Sequence, residues 1–198
     1  MYRKTQNVIL LIDTSSSMSG TPINKIKESI QILSSNLNKY NTFYTNVNLT
    51  IISFNDQAKF ISKNKIKYLD ANGLTNLADA YKKLNIMLTK HKTFDFKPII
   101  LLLCDGKPNL NNEKIPLKNL YDNKNFRNSL RLSIAYGTQN YSALKTLYDF
   151  LGCKDNVLTC SNINTISKVI EKCLPKILHQ QAYYKSKTIK LTSILSQT

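Results

Sequence analysis

The chain of 198 residues fits one generous domain, because a single core stops growing only beyond ~250–300 residues. Its 42% hydrophobic and 9% aromatic content supplies a continuous core, and five Gly and five Pro are too few for a fibrous or linker-dominated protein. Lys plus Arg number 28 against 12 Asp plus Glu, a net charge of +16 that favours nucleic acid, anionic membrane or acidic protein as partners. Nearly all the positive residues are Lys, and Asn and Ile are also abundant, so AT-rich codon bias accounts for the sign without selection for a polyanion.

Short apolar runs alternate with stretches of helical period, the pattern of βαβ units around a mainly parallel sheet. The first run, Asn7 to Ile12, is apolar on both faces and belongs at the centre of a sheet covered by helices on each side. Thr21 is then expected to cap a helix with Pro22 at its first position. Ile23, Ile26, Ile30, Leu33 and Leu37 repeat along one face to about Tyr40. Val47 to Phe54 and Ala58 to Ser62 read as two strands, with Asn55-Asp56-Gln57 short enough for an antiparallel hairpin.

Ala78 to Leu88 is the next helix, with Leu77, Tyr81, Leu84 and Leu88 on one face. It leads to Pro98–Cys104, the most apolar segment, which must be a central strand. Beyond it, Ser129 to Tyr136 is a strand, Ser142 to Leu151 a helix and Asn156 to Thr159 a short strand. Ile163 to Leu178 is a last helix, interrupted near Pro175. The expected fold class is therefore α/β: a doubly wound, mainly parallel sheet with one antiparallel edge strand and helices on both faces. Residues 1–180 form the domain, and residues 181–198 a basic C-terminal tail with Lys185, Lys187 and Lys190.

No apolar stretch approaches the ~20 residues of a membrane span, and Met1 to Gln6 lacks the apolar core and cleavage site of a signal peptide. A cytoplasmic protein with no membrane partner is expected. Cys104, Cys153, Cys160 and Cys173 have no metal-ligand spacing and lie far from His91 and His179, so they read as reduced thiols, with Cys104 buried in its strand.

Two acidic residues stand directly after the two most apolar strands, Asp13 after Val8–Ile12 and Asp105 after Ile99–Cys104. In an open α/β sheet, ligands bind outside the carboxyl ends of the strands, so both carboxylates converge where a site belongs. Neighbouring carboxylates repel unless they share a proton or a cation, and Ser15, Ser17 and Ser19 add neutral oxygens. A hard divalent cation fits that set. The plainer alternatives are a polar loop at Asp13–Gly20, a helix cap at Thr75 and an ordinary turn at Asp105-Gly106.

The segment Asp13-Thr14-Ser15-Ser16-Ser17-Met18-Ser19-Gly20 contains D-x-S-x-S and resembles the metal-ion-dependent adhesion site of von Willebrand factor A domains. Gly73-Leu74-Thr75-Asn76-Leu77 is similar to that family's threonine loop, and Cys104-Asp105-Gly106-Lys107-Pro108 to its aspartate loop. Cys104 stands where the family would place a small hydroxyl residue. The resemblance implies that Asp13, Ser15, Ser17, Thr75 and Asp105 hold Mg2+, or Mn2+ or Ca2+, directly or through water. It also implies that a partner's Glu or Asp completes the coordination. The T-N-L and D-G-x-P forms look closest to the bacterial TerY-like branch, linked with tellurium resistance and with kinase and phosphatase partners.

The expected function is thus a non-catalytic, cation-dependent protein interaction module rather than an enzyme, binding an acidic protein partner. Two rivals belong to other classes. A metal-dependent phosphotransferase or hydrolase would use Asp13 as nucleophile, but has Ser15 where a general acid is wanted and only Lys107 in its favour. Nucleic-acid binding through the basic surface would be weak and salt-sensitive, with aromatic and basic residues clearly interleaved only at Tyr183-Tyr184-Lys185.

Overall fold

Gln6 to Asp13 of strand β1 (Lys4–Asp13) are buried without a break, so this strand has to lie between two layers. Its side chains alternate. Val8, Leu10 and Ile12 enter one core and Ile9 and Leu11 the other. The computed structural model, which describes residues 3–41, 45–91, 94–105, 112–154 and 157–178, shows how the remaining elements fill those layers.

The other strands are β2 (Thr45–Phe54), β3 (Ala58–Ile61), β4 (Ile99–Cys104), β5 (Leu130–Tyr136) and β6 (Val157–Cys160). They form one sheet in the order β3-β2-β1-β4-β5-β6. β1 pairs in parallel with both β2 and β4, and β4 is fully buried, so the two most apolar strands are adjacent at its centre. β3 is antiparallel to β2, as the three-residue connection predicts. The fold is a six-stranded, mostly parallel sheet with one antiparallel edge strand and helices on both faces, a doubly wound architecture.

Helix α1 (Thr21–Asn36) presents Ile23, Ile26, Ile30 and Leu33 to the first core, which Ile166, Ile170, Leu174 and Ile177 from the C-terminal helical segment complete. The opposite face is covered by α2 (Leu77–Lys90), α3 (Lys114–Asp122), α4 (Lys124–Arg127) and α5 (Tyr141–Leu151), whose Tyr81, Leu84, Leu120, Phe126, Leu147 and Phe150 share the second core.

Several local expectations need correction. The residue before α1 is Gly20 at φ 77°, a backbone conformation that Thr21 would adopt only with strain, so Thr21 is the first helical residue rather than the cap. The helix closes at Asn36 and tightens into a 3-10 turn over Leu37–Tyr40. A 3-10 turn at Lys63–Tyr68 and the pair α3 and α4 fill stretches where no element was expected. The interruption expected near Pro175 is a π turn just ahead of it rather than a break in the helix. Helix α6 (Ile163–Lys168) passes into a π turn over Val169–Cys173 and returns to α geometry for residues 174–178. Widening the turn ahead of proline gives its ring room beside the preceding carbonyls, where its missing N–H is already accommodated. The proposed tail, residues 181–198 with Lys185, Lys187 and Lys190 and the Tyr183-Tyr184-Lys185 cluster, lies outside the described residues, as does His179. No described helix is long and apolar enough to cross a membrane.

Candidate metal centre

Because β1 and β4 are parallel neighbours, with Ile12 opposite Leu103, their carboxyl ends deliver Asp13 and Asp105 side by side. Asp13 is completely buried. Its Oδ1 accepts the Ser15 N–H at 2.8 Å, whereas Oδ2, equally buried, meets no well-formed hydrogen bond among the described residues. Burial pushes the Asp13 carboxyl up to about 7; hydrogen bonds from the Ser15 hydroxyl and backbone pull it back, the Asp105 charge raises it, and the Asp105 backbone N–H draws it down a little. An ionised carboxylate at this depth needs a counter-charge, and the described chain brings no Lys, Arg or His to its unpartnered oxygen.

The serines follow from the turn that leaves β1. A 3-10 turn over Ser16–Met18, anchored by the buried Met18, folds the chain back so that the Ser15 and Ser17 hydroxyls stand 3.0 Å apart. Ser15 is buried and Ser17 exposed, so the pair leads from the interior to solvent. The threonine loop is tied to this turn through backbone. Gly73 O accepts both the Ser16 N–H at 3.1 Å and the Ser16 hydroxyl at 3.0 Å, and the Asn72 N–H donates to Thr14 O at 2.9 Å.

Thr75 is buried beside these segments. The cap of α2 is Asn76, whose Oδ1 accepts the Asp79 N–H, so Thr75 does not serve as that cap. The structure thus gathers the Asp13, Ser15, Ser17, Thr75 and Asp105 segments at one end of the sheet. Cys104 is buried in β4 as expected, while Gly106-Lys107-Pro108 lies outside the described residues.

The donor chemistry fits a hard cation. Among the described residues no three His, Cys, Asp or Glu side chains gather into a metal cluster, and the oxygens here are two carboxylates and three hydroxyls. Mg2+ and Ca2+ select oxygen donors of that kind, and the orphaned Asp13 Oδ2 is the atom most in need of such an ion. A concavity of about 570 Å3 opens elsewhere, at the carboxyl ends of β5 and β6. Among the described residues its lining, which includes Thr138, Thr159, Cys160 and Asn162, carries no charged side chain to offset a cation.

The hairpin connection Asn55-Asp56-Gln57 had no assigned part in the site. Asn55 O accepts the Asn76 N–H at 2.9 Å, and Asp56 O accepts the Asn76 side-chain amide at 3.0 Å, so the hairpin tip holds the far side of the threonine loop. Its signal in the sequence is only a cluster of turn-forming residues, which does not say what the turn will meet.

Residues 8–107, half of the chain, match the family model of the von Willebrand factor type A domain. No curated protein matches significantly. Among solved structures, the chain is similar to a von Willebrand factor type A protein from Catenulispora acidiphila (13% identity, TM-score 0.67, covering 90% of this chain and 43% of that one). It is also similar to proximal thread matrix protein 1 from the mussel byssus with a zinc-occupied MIDAS motif (18%, 0.64, 89% and 46%). A third is the vWF domain of the type V pili tip protein Mfa5 from Porphyromonas gingivalis (11%, 0.72, 91% and 97%). The chain spans less than half the length of the first two. At such identities these likenesses establish the shared fold.

Proposed function

The chain belongs to the von Willebrand factor type A family, and on that premise we propose that it is a non-catalytic module that binds an acidic protein partner through a divalent cation. The observation that carries this reading is the buried Asp13 carboxylate with its unpartnered Oδ2, set beside Asp105 and the hydroxyls of Ser15 and Ser17. The ion would supply an electrophilic centre whose open position a Glu or Asp of the partner takes up. Asp13 and Asp105 offset its charge. Ser15, Ser17 and Thr75 would supply neutral oxygens, which would leave the ion acidic enough to want a further anion. The ion is Mg2+ in this reading, with Mn2+ as its convenient probe.

The Thr75-Asn76-Leu77 and Asp105-Gly106-Lys107-Pro108 forms support a place in the TerY-like branch, with kinase or phosphatase components of a bacterial stress response as first partners to test. Cys104, Cys153, Cys160 and Cys173 form no disulfide among the described residues, which supports a reducing, cytoplasmic setting. The +16 charge speeds encounter with an acidic surface, while selectivity rests on the metal bond. A phosphotransferase reading finds no general acid at Ser15. Titration calorimetry with Mn2+ on the native chain and on Asp13→Ala tests the site, and equal binding by both rejects it. Partner capture that survives chelation and Thr75→Ala at physiological salt would move the interface elsewhere.

A further inference from the structure

Gly73 is the joint of the candidate site. Its carbonyl holds both the backbone and the side chain of Ser16, the residue between the two site serines, and Thr75 follows two positions later. Its φ of 74° lies in the left-handed region, and a Cβ placed there would overlap Asp56 Oδ2 and lie 2.9 Å from Asp56 Cγ. The Asp56 carboxylate therefore occupies the space that a side chain at Gly73 would fill. Its Oδ1 accepts the Leu74 N–H at 3.1 Å. On the other side of Thr75, the Asn76 N–H is held by Asn55 O and the Asn76 amide by Asp56 O. Thr75 is thus suspended between two residues that are both fastened to the tip of the β2–β3 hairpin.

This clamp touches none of the candidate donors and needs no metal to form. We propose that Asp56 is a positioning residue: by seating its carboxylate on Gly73 and holding Leu74, it fixes the Thr75 hydroxyl and, through Gly73 and Ser16, the two site serines in the geometry that a cation requires. Residues that orient metal donors from behind commonly contribute 10–100-fold in metal affinity. Among the described residues no lysine or arginine pairs with this exposed carboxylate, and its seat on Gly73 gives it a role there.

The inference rests on the cation-binding reading above, and Mn2+ calorimetry on the full chain separates the two. If the native chain binds no Mn2+, the functional reading itself fails. If it binds, Asp56→Ala is expected to lose about 10-fold in affinity while its metal-free melting temperature stays near the native value. Asp56→Asn keeps an oxygen that can accept the Leu74 N–H and is expected to bind as the native chain does. Gly73→Ala is expected to lose affinity through both its strained φ and the clash with Asp56; in the Asp56→Ala background the clash is gone, so the double variant loses less than the sum of the singles. Native affinity in Asp56→Ala overturns the proposal. So does a fall in metal-free stability with affinity unchanged, or strict additivity in the cycle.

Discussion

Two charged groups are drawn in at opposite ends of the sheet, and the chain treats them differently. At the amino-terminal end of β5, the Arg131 guanidinium lies 4.5 Å from the Phe126 ring centroid and 5.5 Å from that of Tyr121. It donates to Leu151 O from Nε at 3.3 Å and from Nη2 at 3.0 Å, and Nη1 also reaches Phe126 O. Around it Tyr121 meets Phe126 edge-on at 5.3 Å, and Phe126 meets Phe150. At the carboxyl-terminal end of β1, Asp13 is more deeply buried and one of its oxygens meets no well-formed hydrogen bond among the described residues. Arg131 is a cation completed by its own fold. Asp13 is a carboxyl that the described residues leave incomplete, and on the proposed reading that incompleteness is what distinguishes a binding site from a structural polar cluster.

The largest test of this contrast is a pH titration. A carboxyl raised from 3.8 to about 7 in the folded chain contributes stability that is full below pH ~4 and is lost as pH climbs through 7. At 1.36 kcal/mol per pH unit, the metal-free protein should lose up to about 4 kcal/mol between pH 4 and 9 from this group. Saturating Mn2+ should flatten that decline, since it binds the ionised form. Urea melts at four pH values, with and without the ion, measure both. A metal-free stability that rises through pH 7 would show that Asp13 is satisfied after all.

Next in size is Arg131→Ala, which strips Leu151 O of its guanidinium donors and two rings of their cation. A loss of about 3 kcal/mol in chemical denaturation is expected, indifferent to metal. Asp13→Asn should have the opposite sign. By removing a buried charge it should stabilise the metal-free protein at pH 8 by about 2 kcal/mol while Mn2+ binding disappears, and equal destabilisation by both variants would erase the distinction. The smallest effect is that of Thr75→Ala, which removes one neutral oxygen. About 10-fold weaker Mn2+ binding with near-native thermal stability is expected from calorimetry and a thermal melt.

What could be read from the sequence followed from how local each feature's cause is. Val8–Ile12 and Ile99–Cys104 are apolar on both faces, a pattern only a doubly covered strand satisfies, and from them the sheet centre and the position of Asp13 and Asp105 follow. The antiparallel β3 was legible because three residues allow little besides a hairpin. Helices α3 and α4 were not. Pro116 in the first turn of α3 disguises a helix it does not break, and Asn123 both ends that helix and caps the next through its side chain. The π turn depends on how one proline meets the turn before it. Asp56 was out of reach for another reason: its partner Gly73 belongs to a different loop, and only the closure of the hairpin over α2 makes them neighbours.

The register that sets Val8 opposite Ile99 also has a consequence in time. The central strand pair joins segments about ninety residues apart, and such non-local pairing places a chain toward the slow end of folding, in milliseconds to seconds, because the loop must close before any contact rewards it. On the ribosome, β1 must wait for β4 to emerge, and Asp13 has no Asp105 beside it until then. On the proposed reading, a divalent ion would therefore recognise only chains that have finished that pairing. Metal-dependent capture would then report the completeness of folding as well as the presence of the protein, and a nascent or truncated chain would be silent to the same partner.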